Sequence, residues 1–171
     1  MLNETMEKAL NEQIQAETYS AYLYKSMEAY YLDQDLPGFA NWMHQQTFEE
    51  MLHADIFFRF IDERGGRIKL LPIDEPGHDW DSPLAAFEAS LEHEKYISGR
   101  INDLMNLAIK EGDHASNAML QWFVKEQVEE EASVKTIVQK LKLVKSEGAG
   151  LFMIDQELAA RVFAMPTSMP V

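Results

Sequence analysis

Glu50 and His53 stand three residues apart, so on a helix a carboxylate and an imidazole point the same way and can grip one ion together. Glu17, Glu94 and the pair Gln127 and Glu130 share their setting. Each interrupts an apolar seam that repeats every three or four positions. The seams read Leu10, Ile14, Glu17, Ala21, Tyr24, then Phe39, Met43, Gln46, Glu50, His53, Phe57, Phe60. The third is Leu84, Phe87, Leu91, Glu94, Ser98, Ile101, Met105, Ala108, and the fourth Leu120, Phe123, Gln127, Glu130, Val134, Ile137, Leu141, Val144. Such steps put every named side chain on the helix face that meets neighbouring helices. A carboxylate there is buried, and an unpaired buried charge is costly enough that it must be neutralised or bound. Four glutamates, one histidine and one glutamine converging in a dry interior suit a pair of metal ions. Oxygen ligands with a single imidazole and no sulfur favour iron or manganese.

The elements that must hold these residues are long helices. The first is expected from about Glu4 to Leu32, ended by Asp33-Gln34-Asp35 and by Pro37-Gly38. The second opens at Pro37, where a missing N–H needs no partner, and runs to about Arg64 before the Gly65-Gly66 break. Ser82 as N-cap and Pro83 start the third, which ends near Glu111-Gly112. The fourth spans about His114 to Ser146. After Gly148-Ala149-Gly150 a short fifth helix, about 151–163, carries Leu151, Ile154, Leu158 and Val162 on one face, and Pro166 and Pro170 follow it. The hinges at 33–38 and 112–114 are short, so each joins antiparallel neighbours. Residues 65–82 have no helical seam, and about 18 extended residues reach up to roughly 60 Å. That exceeds the roughly 42 Å of a 28-residue helix, so the third helix can return parallel to the second. The expected fold is all-α, a four-helix bundle with a long crossover between the second and third helices and a short fifth helix at the C-terminal end. The midpoints of four such helices share one height, which gathers the six polar groups into one layer. A lone Glu-x-x-His carries little weight, but with Glu17 and Glu94 on two other helices the signal is strong. The competing reading of the layer is a buried polar stripe that sets helix register.

Composition bounds the rest. At 171 residues with a hydrophobic fraction of 46%, the chain suits one domain, with the bundle over about 4–146. The net charge of −14 opposes a nucleic-acid surface and favours cation traffic. No apolar run is long enough to cross a bilayer, and Met1-Leu2-Asn3-Glu4 lacks the features of a secretory signal. The chain has no cysteine, hence no disulfide and no thiolate site. No nucleic acid, no membrane and a cytoplasmic location are the expectations.

Glu17-Thr18-Tyr19-Ser20 with Tyr24, Glu49-Glu50-Met51-Leu52-His53-Ala54, His93-Glu94, Leu120-Gln121-Trp122-Phe123-Val124 and Glu126-Gln127-Val128-Glu129-Glu130-Glu131 resemble a prokaryotic non-haem ferritin. The similarity covers essentially the whole chain, including Leu151 to Leu158. The layer itself matches the general pattern of ferritin-like di-iron proteins. The resemblance implies a shell, usually of 24 chains, that oxidises Fe(II) with O2 or hydrogen peroxide at a ferroxidase centre and stores ferric mineral. It implies one iron on Glu17, Glu50 and His53, and another on Glu94 and Glu130, with Glu50 bridging and Gln127 close by. A third iron facing the cavity would use Glu49, Glu126 and Glu129, for which the alternative is a solvated acidic face. Tyr24 and Trp122 would supply electrons or quench radicals, or serve as core aromatics.

The fourth helix offers Gln127-x-x-Glu130 and no second Glu-x-x-His, which disfavours a bacterioferritin. Met51 stands where those proteins place a haem-ligating methionine, yet packing is the role expected for it and haem is not. The main alternative is a di-iron peroxide reductase of the rubrerythrin kind, opposed by the missing cysteines. His44, His78, His93 and His114 are expected on the surface or in loops, and Tyr30, Tyr31 and Trp80 as exposed aromatics that could meet other subunits.

Overall fold

Three helices begin where a side chain takes over their first free N–H groups. The Asn3 amide oxygen accepts from the Met6 N–H at 2.8 Å, Ser82 Oγ from Ala85 at 3.0 Å, and Asp113 Oδ1 from Ser116 at 3.1 Å. They open α1 (Glu4–Asp33), α3 (Pro83–Glu111) and α4 (His114–Val144) in the computed structural model, which describes residues 2–145, 148–166 and 170. The helix α2 (Pro37–Glu63) follows Leu36, which has nothing to cap with. Its cap comes from α5 (Gly148–Leu158), where Asp155 Oδ1 accepts from the Gly38 N–H at 2.7 Å and the Phe39 N–H at 3.1 Å. A buried carboxylate thus meets the positive end of α2. A Cβ on Gly38 would lie 1.7 Å from the Asp155 carbonyl oxygen, so only glycine admits α5 here.

The crossover lies along α1 in the direction of that helix. Near its start Asn11 bonds the Arg67 carbonyl and the Lys69 N–H, at 3.0 and 2.6 Å. Gln15 then donates to the Pro72 carbonyl, Ser26 to that of Gly77 and Tyr31 to that of Pro83. Four anchors spaced along one helix carry the chain the length of the bundle, and α3 therefore runs parallel to α2. Among the described residues no helix is long and apolar enough to cross a membrane.

The core is two apolar clusters with the polar layer between them. Met6, Leu10, Ile56, Phe57, Ile101 and Phe123 belong to one, and Tyr31, Phe39, Phe87, Val134 and Leu141 to the other. Every residue of the first two seams is buried. In α3 the buried stripe is Ala86, Phe87, Ser90, Glu94, Ile97, Ile101, Leu104 and Ala108, while Leu84, Leu91, Ser98 and Met105 are half-buried. A strict seven-residue seam drifts around a straight helix, so the buried face is shared with neighbouring positions.

Two expectations need correction. Tyr31 is fully buried against Phe39 and Phe87, its hydroxyl satisfied by Pro83, and is no surface aromatic. The fifth helix starts at Gly148 and stops at Leu158, short of 163, and Val162 is 80% exposed. The Asn41 amide ends it by donating to the carbonyls of Leu158, Ala159 and Arg161. The fourth helix ends at Val144, with Lys145 in a left-handed C-cap, and its expected end at Ser146 lies outside the described residues.

Candidate metal centre

Glu17 of α1, Glu50 and His53 of α2, Glu94 of α3, and Gln127 and Glu130 of α4 are all buried in the layer between the two clusters. Each of the four carboxylates spends one oxygen on a hydrogen bond. Glu17 Oε1 accepts from Gln13 at 2.8 Å, and Glu94 Oε1 from the Tyr24 hydroxyl. A single amide, Gln46 Nε2, donates to Glu50 Oε1 at 3.0 Å and to Glu130 Oε2 at 2.9 Å. The other oxygens, Glu17 Oε2, Glu50 Oε2, Glu94 Oε2 and Glu130 Oε1, are buried without a partner, and so is His53 Nδ1. These are the only such side-chain atoms among the described residues. Buried polar atoms are normally paired, and five bare ones gathered in one layer require an explanation.

The glutamine donors are themselves oriented. Arg100 Nε donates to Gln13 Oε1 at 2.9 Å, and Arg161 Nη2 to Gln46 Oε1 at 2.7 Å. With its oxygen committed to an arginine, each amide must turn its NH2 toward a carboxylate. Gln13, Gln46, Arg100 and Arg161 are not among the residues expected at the site. The available signal was spacing, since Gln13–Glu17 and Gln46–Glu50 are both four-residue helical pairs. Nothing local announces the arginines, which come from α3 and from the segment after α5.

Burial governs the electrostatics. It pushes the Glu17 carboxyl up to about 7, helped by the neighbouring Glu50 charge, and that of Glu50 up to about 8. Burial, with Glu50 beside the one and Glu94 beside the other, holds Glu94 and Glu130 well above the usual carboxylate range. Without a cation the layer retains protons near neutrality. A divalent cation could replace them, because it favours the charged form of each ligand.

Glu17, Glu50 and His53 offer ligand atoms within 4.8 Å of one another, and His53, Glu126 and Glu130 form a second such group. His53 is common to both groups, with Nδ1 3.6 Å from Glu50 Oε2. Glu94 joins neither group and stays with Tyr24. Gln127 Oε1 accepts from Ser98 at 3.3 Å. Of the flanking acids, Glu49 is paired with Arg161 at 2.6 Å, Glu126 is half-buried and Glu129 is exposed. Burial raises the Glu126 carboxyl, with Glu49 and Glu129 adding to it. Tyr24 is buried edge-on to Trp42, and Trp122 stands edge-on to His53 at 5.7 Å. Met51 is half exposed in an apolar groove with Phe58, Leu70 and Ile73, so it does not pack in the core. His93 is not on the surface either. It bonds Ser20 at 2.7 Å beside Tyr19, Tyr24 and Tyr96, and burial pushes its imidazole down to about 4.

The crossover bundle and its mid-height carboxylates define the ferritin-like class. A family model described as Ferritin-like domain matches residues 7–144. A bacterial non-heme ferritin of Bacteroides fragilis is 42% identical over 161 residues, 94% of this chain and 100% of the relative. A probable bacterial non-heme ferritin-like protein of Haemophilus influenzae is 37% identical, covering 92% of this chain and 96% of its own. An open pore ferritin from the hyperthermophilic archaeon Archaeoglobus fulgidus superimposes with a TM-score of 0.93 at 50% identity, over 95% of this chain and all of its own. The chain belongs to the ferritin family.

Proposed function

We propose that the protein stores and detoxifies iron, oxidising Fe(II) with O2 or hydrogen peroxide at the mid-bundle layer and keeping the ferric product in a shell of its own copies. The observation that carries the reading is the set of five bare buried atoms on Glu17, Glu50, His53, Glu94 and Glu130. Each is an atom type that binds iron, and each lies on a residue whose second polar atom or helix neighbour is already fixed. Iron is here the substrate, and two Fe(II) ions giving one electron each would reduce O2 by two electrons.

The chain's own part is positional and protonic. Glu17, Glu50 and His53 would hold one ion, and Glu130 with Glu94 the other, with Glu50 shared and Gln127 alongside. Gln13 and Gln46 aim the carboxylates before any ion arrives, so little reorganisation is left to binding. Glu17 and Glu50, protonated near neutrality, release their protons as ions enter. Tyr24 would supply one further electron to the oxidant and become a tyrosyl radical, its phenolic proton passing to Glu94, which accepts its hydrogen bond and is ionised once a cation is bound. Glu49, Glu126 and Glu129 would take a third cation on its way to or from the centre.

The 24-chain shell and the cytoplasmic location are proposed on the resemblance to the family alone. All the relatives above carry ferritin names, and none favours the peroxide-reductase alternative.

The test is the iron-to-chain ratio of size-fractionated protein after aerobic loading with excess Fe(II). Tens of irons per chain on a very large particle is the expected result. About two per chain on a small oligomer would retain the di-iron layer and overturn storage.

A further inference from the structure

The segment after α5 returns across α2 and places one side chain against the acidic flank. Asn41 fixes its backbone through the carbonyls of Leu158, Ala159 and Arg161, and the Phe163 N–H donates to Gln45 Oε1 at 2.9 Å. Between these ties the Arg161 guanidinium lies over the Trp42 ring, 4.2 Å from its centroid. It donates to the Trp42 carbonyl at 3.1 Å, to Gln46 Oε1 at 2.7 Å and to Glu49 Oε2 at 2.6 Å. The Arg161 and Glu49 side chains are 22% and 19% exposed, so the pair is partly shielded from water. Arg100, the other arginine serving the layer, touches Gln13, Tyr96 and the Glu12 carbonyl and no acid of the flank. The two arginines thus share a role toward glutamine, and only Arg161 also neutralises a candidate ligand.

We propose that Arg161 is a tethered positioning cation that holds Glu49 and so sets how tightly the Glu49, Glu126 and Glu129 flank takes up a third divalent cation. The inference rests on the reading of the central layer as a di-iron centre. A guanidinium and a metal ion compete for the same carboxylate lone pairs, and an arginine cannot be switched off by deprotonation. A cation arriving at Glu49 must therefore displace Arg161. The central ions fill first, and the flank fills last and loosely, as suits a place of passage.

The test is anaerobic calorimetric titration of the assembled protein, once with Fe(II) and once with redox-inert Zn(II). Wild type should bind two ions per chain tightly and a third weakly. Arg161→Gln should tighten the third step by about tenfold, the scale of one well-oriented, partly shielded ion pair, while the first two steps weaken because Gln46 loses the partner that orients it. Arg161→Lys, which keeps the charge without the fork, should fall between them, and it carries the comparison alone if the glutamine variant does not fold. Arg161→Gln with Glu49→Gln should show no third step. An unchanged or weakened third step in Arg161→Gln, or equal weakening of all three, would make the arginine merely structural and overturn the proposal. If wild type takes up no tight pair, it is the reading of the centre that fails.

Discussion

The central layer and the acidic flank contain the same kind of side chain in opposite conditions. Glu50 and Glu49 are sequence neighbours on α2, yet Glu50 is buried, raised to about 8 and left with a bare oxygen, while Glu49 is partly exposed and paired with an arginine. The difference lies in what each face of the helix meets. Glu50 turns into a dry space where Gln46, His53 and the Glu17 carboxyl reach it and no arginine bonds it, so burial favours its protonated form until a cation arrives. Glu49 turns toward the segment after α5, where a protein cation already waits. Acidity alone therefore does not mark the stronger site; lack of compensation does.

The comparison is broken most severely by emptying the centre. Glu50→Leu removes a ligand shared by both proposed ions, and the initial rate of Fe(II) oxidation should fall by roughly 100-fold or more. The metal-free protein should become more stable by about 1–4 kcal/mol, because an apolar side chain replaces an uncompensated carboxyl. Stopped-flow oxidation and thermal unfolding read the two effects. A variant both inactive and less stable would mean that the layer is structural.

Gly38→Ala attacks the flank from a distance. The added methyl would sit 1.7 Å from the Asp155 carbonyl oxygen, so α5 must move off the start of α2 and take the Arg161 segment with it. The loss should be about 3 kcal/mol by denaturant unfolding, at the upper end for overpacking and with a helix cap removed as well. Central binding of Zn(II) should survive in the folded fraction, weakened by the loss of the Arg161–Gln46 bond, while the third step tightens as Arg161 leaves Glu49. Loss of central binding together with a weakened third step would show that both places depend on the fifth helix for their shape.

Acidity sharpens the contrast in a third way. Glu17 and Glu50 hold their protons in the folded chain up to about 7 and about 8, whereas in the unfolded chain they release them near 4.5. Between these limits the folded state binds more protons, so this contribution to stability is complete below about 4.5 and is lost as pH rises through 7 to 8. The thermal midpoint of metal-free protein should therefore fall from pH 5 to pH 8, and Glu50→Leu should flatten the slope. A midpoint that rises across that window would contradict the buried-proton account.

Much of this was legible beforehand because it rests on periodicity. Seams at three and four residues located the four long helices, and the polar interruptions of those seams marked Glu17, Glu50, His53, Glu94, Gln127 and Glu130, all of which the fold gathers into one buried layer. What escaped depends on distant contacts. Asp155 caps α2 from more than a hundred residues away, Arg161 reaches Gln46 and Glu49 over a similar separation, and the end of α5 is set by Asn41. Tyr31 escapes a reading by position because a tyrosine near a helix end looks exposed until the neighbouring Phe39 and Phe87 are known. His93 escapes it for the same reason, its shield of tyrosines coming partly from α1.

The smallest effect is expected at Glu129, and it is the most discriminating for the flank. Glu129 is exposed and unpaired by any arginine, so Glu129→Gln removes one solvated charge from the approach to the centre. At low ionic strength the oxidation rate at limiting Fe(II) should fall by no more than about twofold, and the difference should vanish when salt screens the field. A loss that persists in high salt would mean that Glu129 binds the ion directly. The flank would then be a site in its own right, with Arg161 holding only one of its three acids, and the order of filling inferred from Glu49 would have to be measured against that stronger ligand.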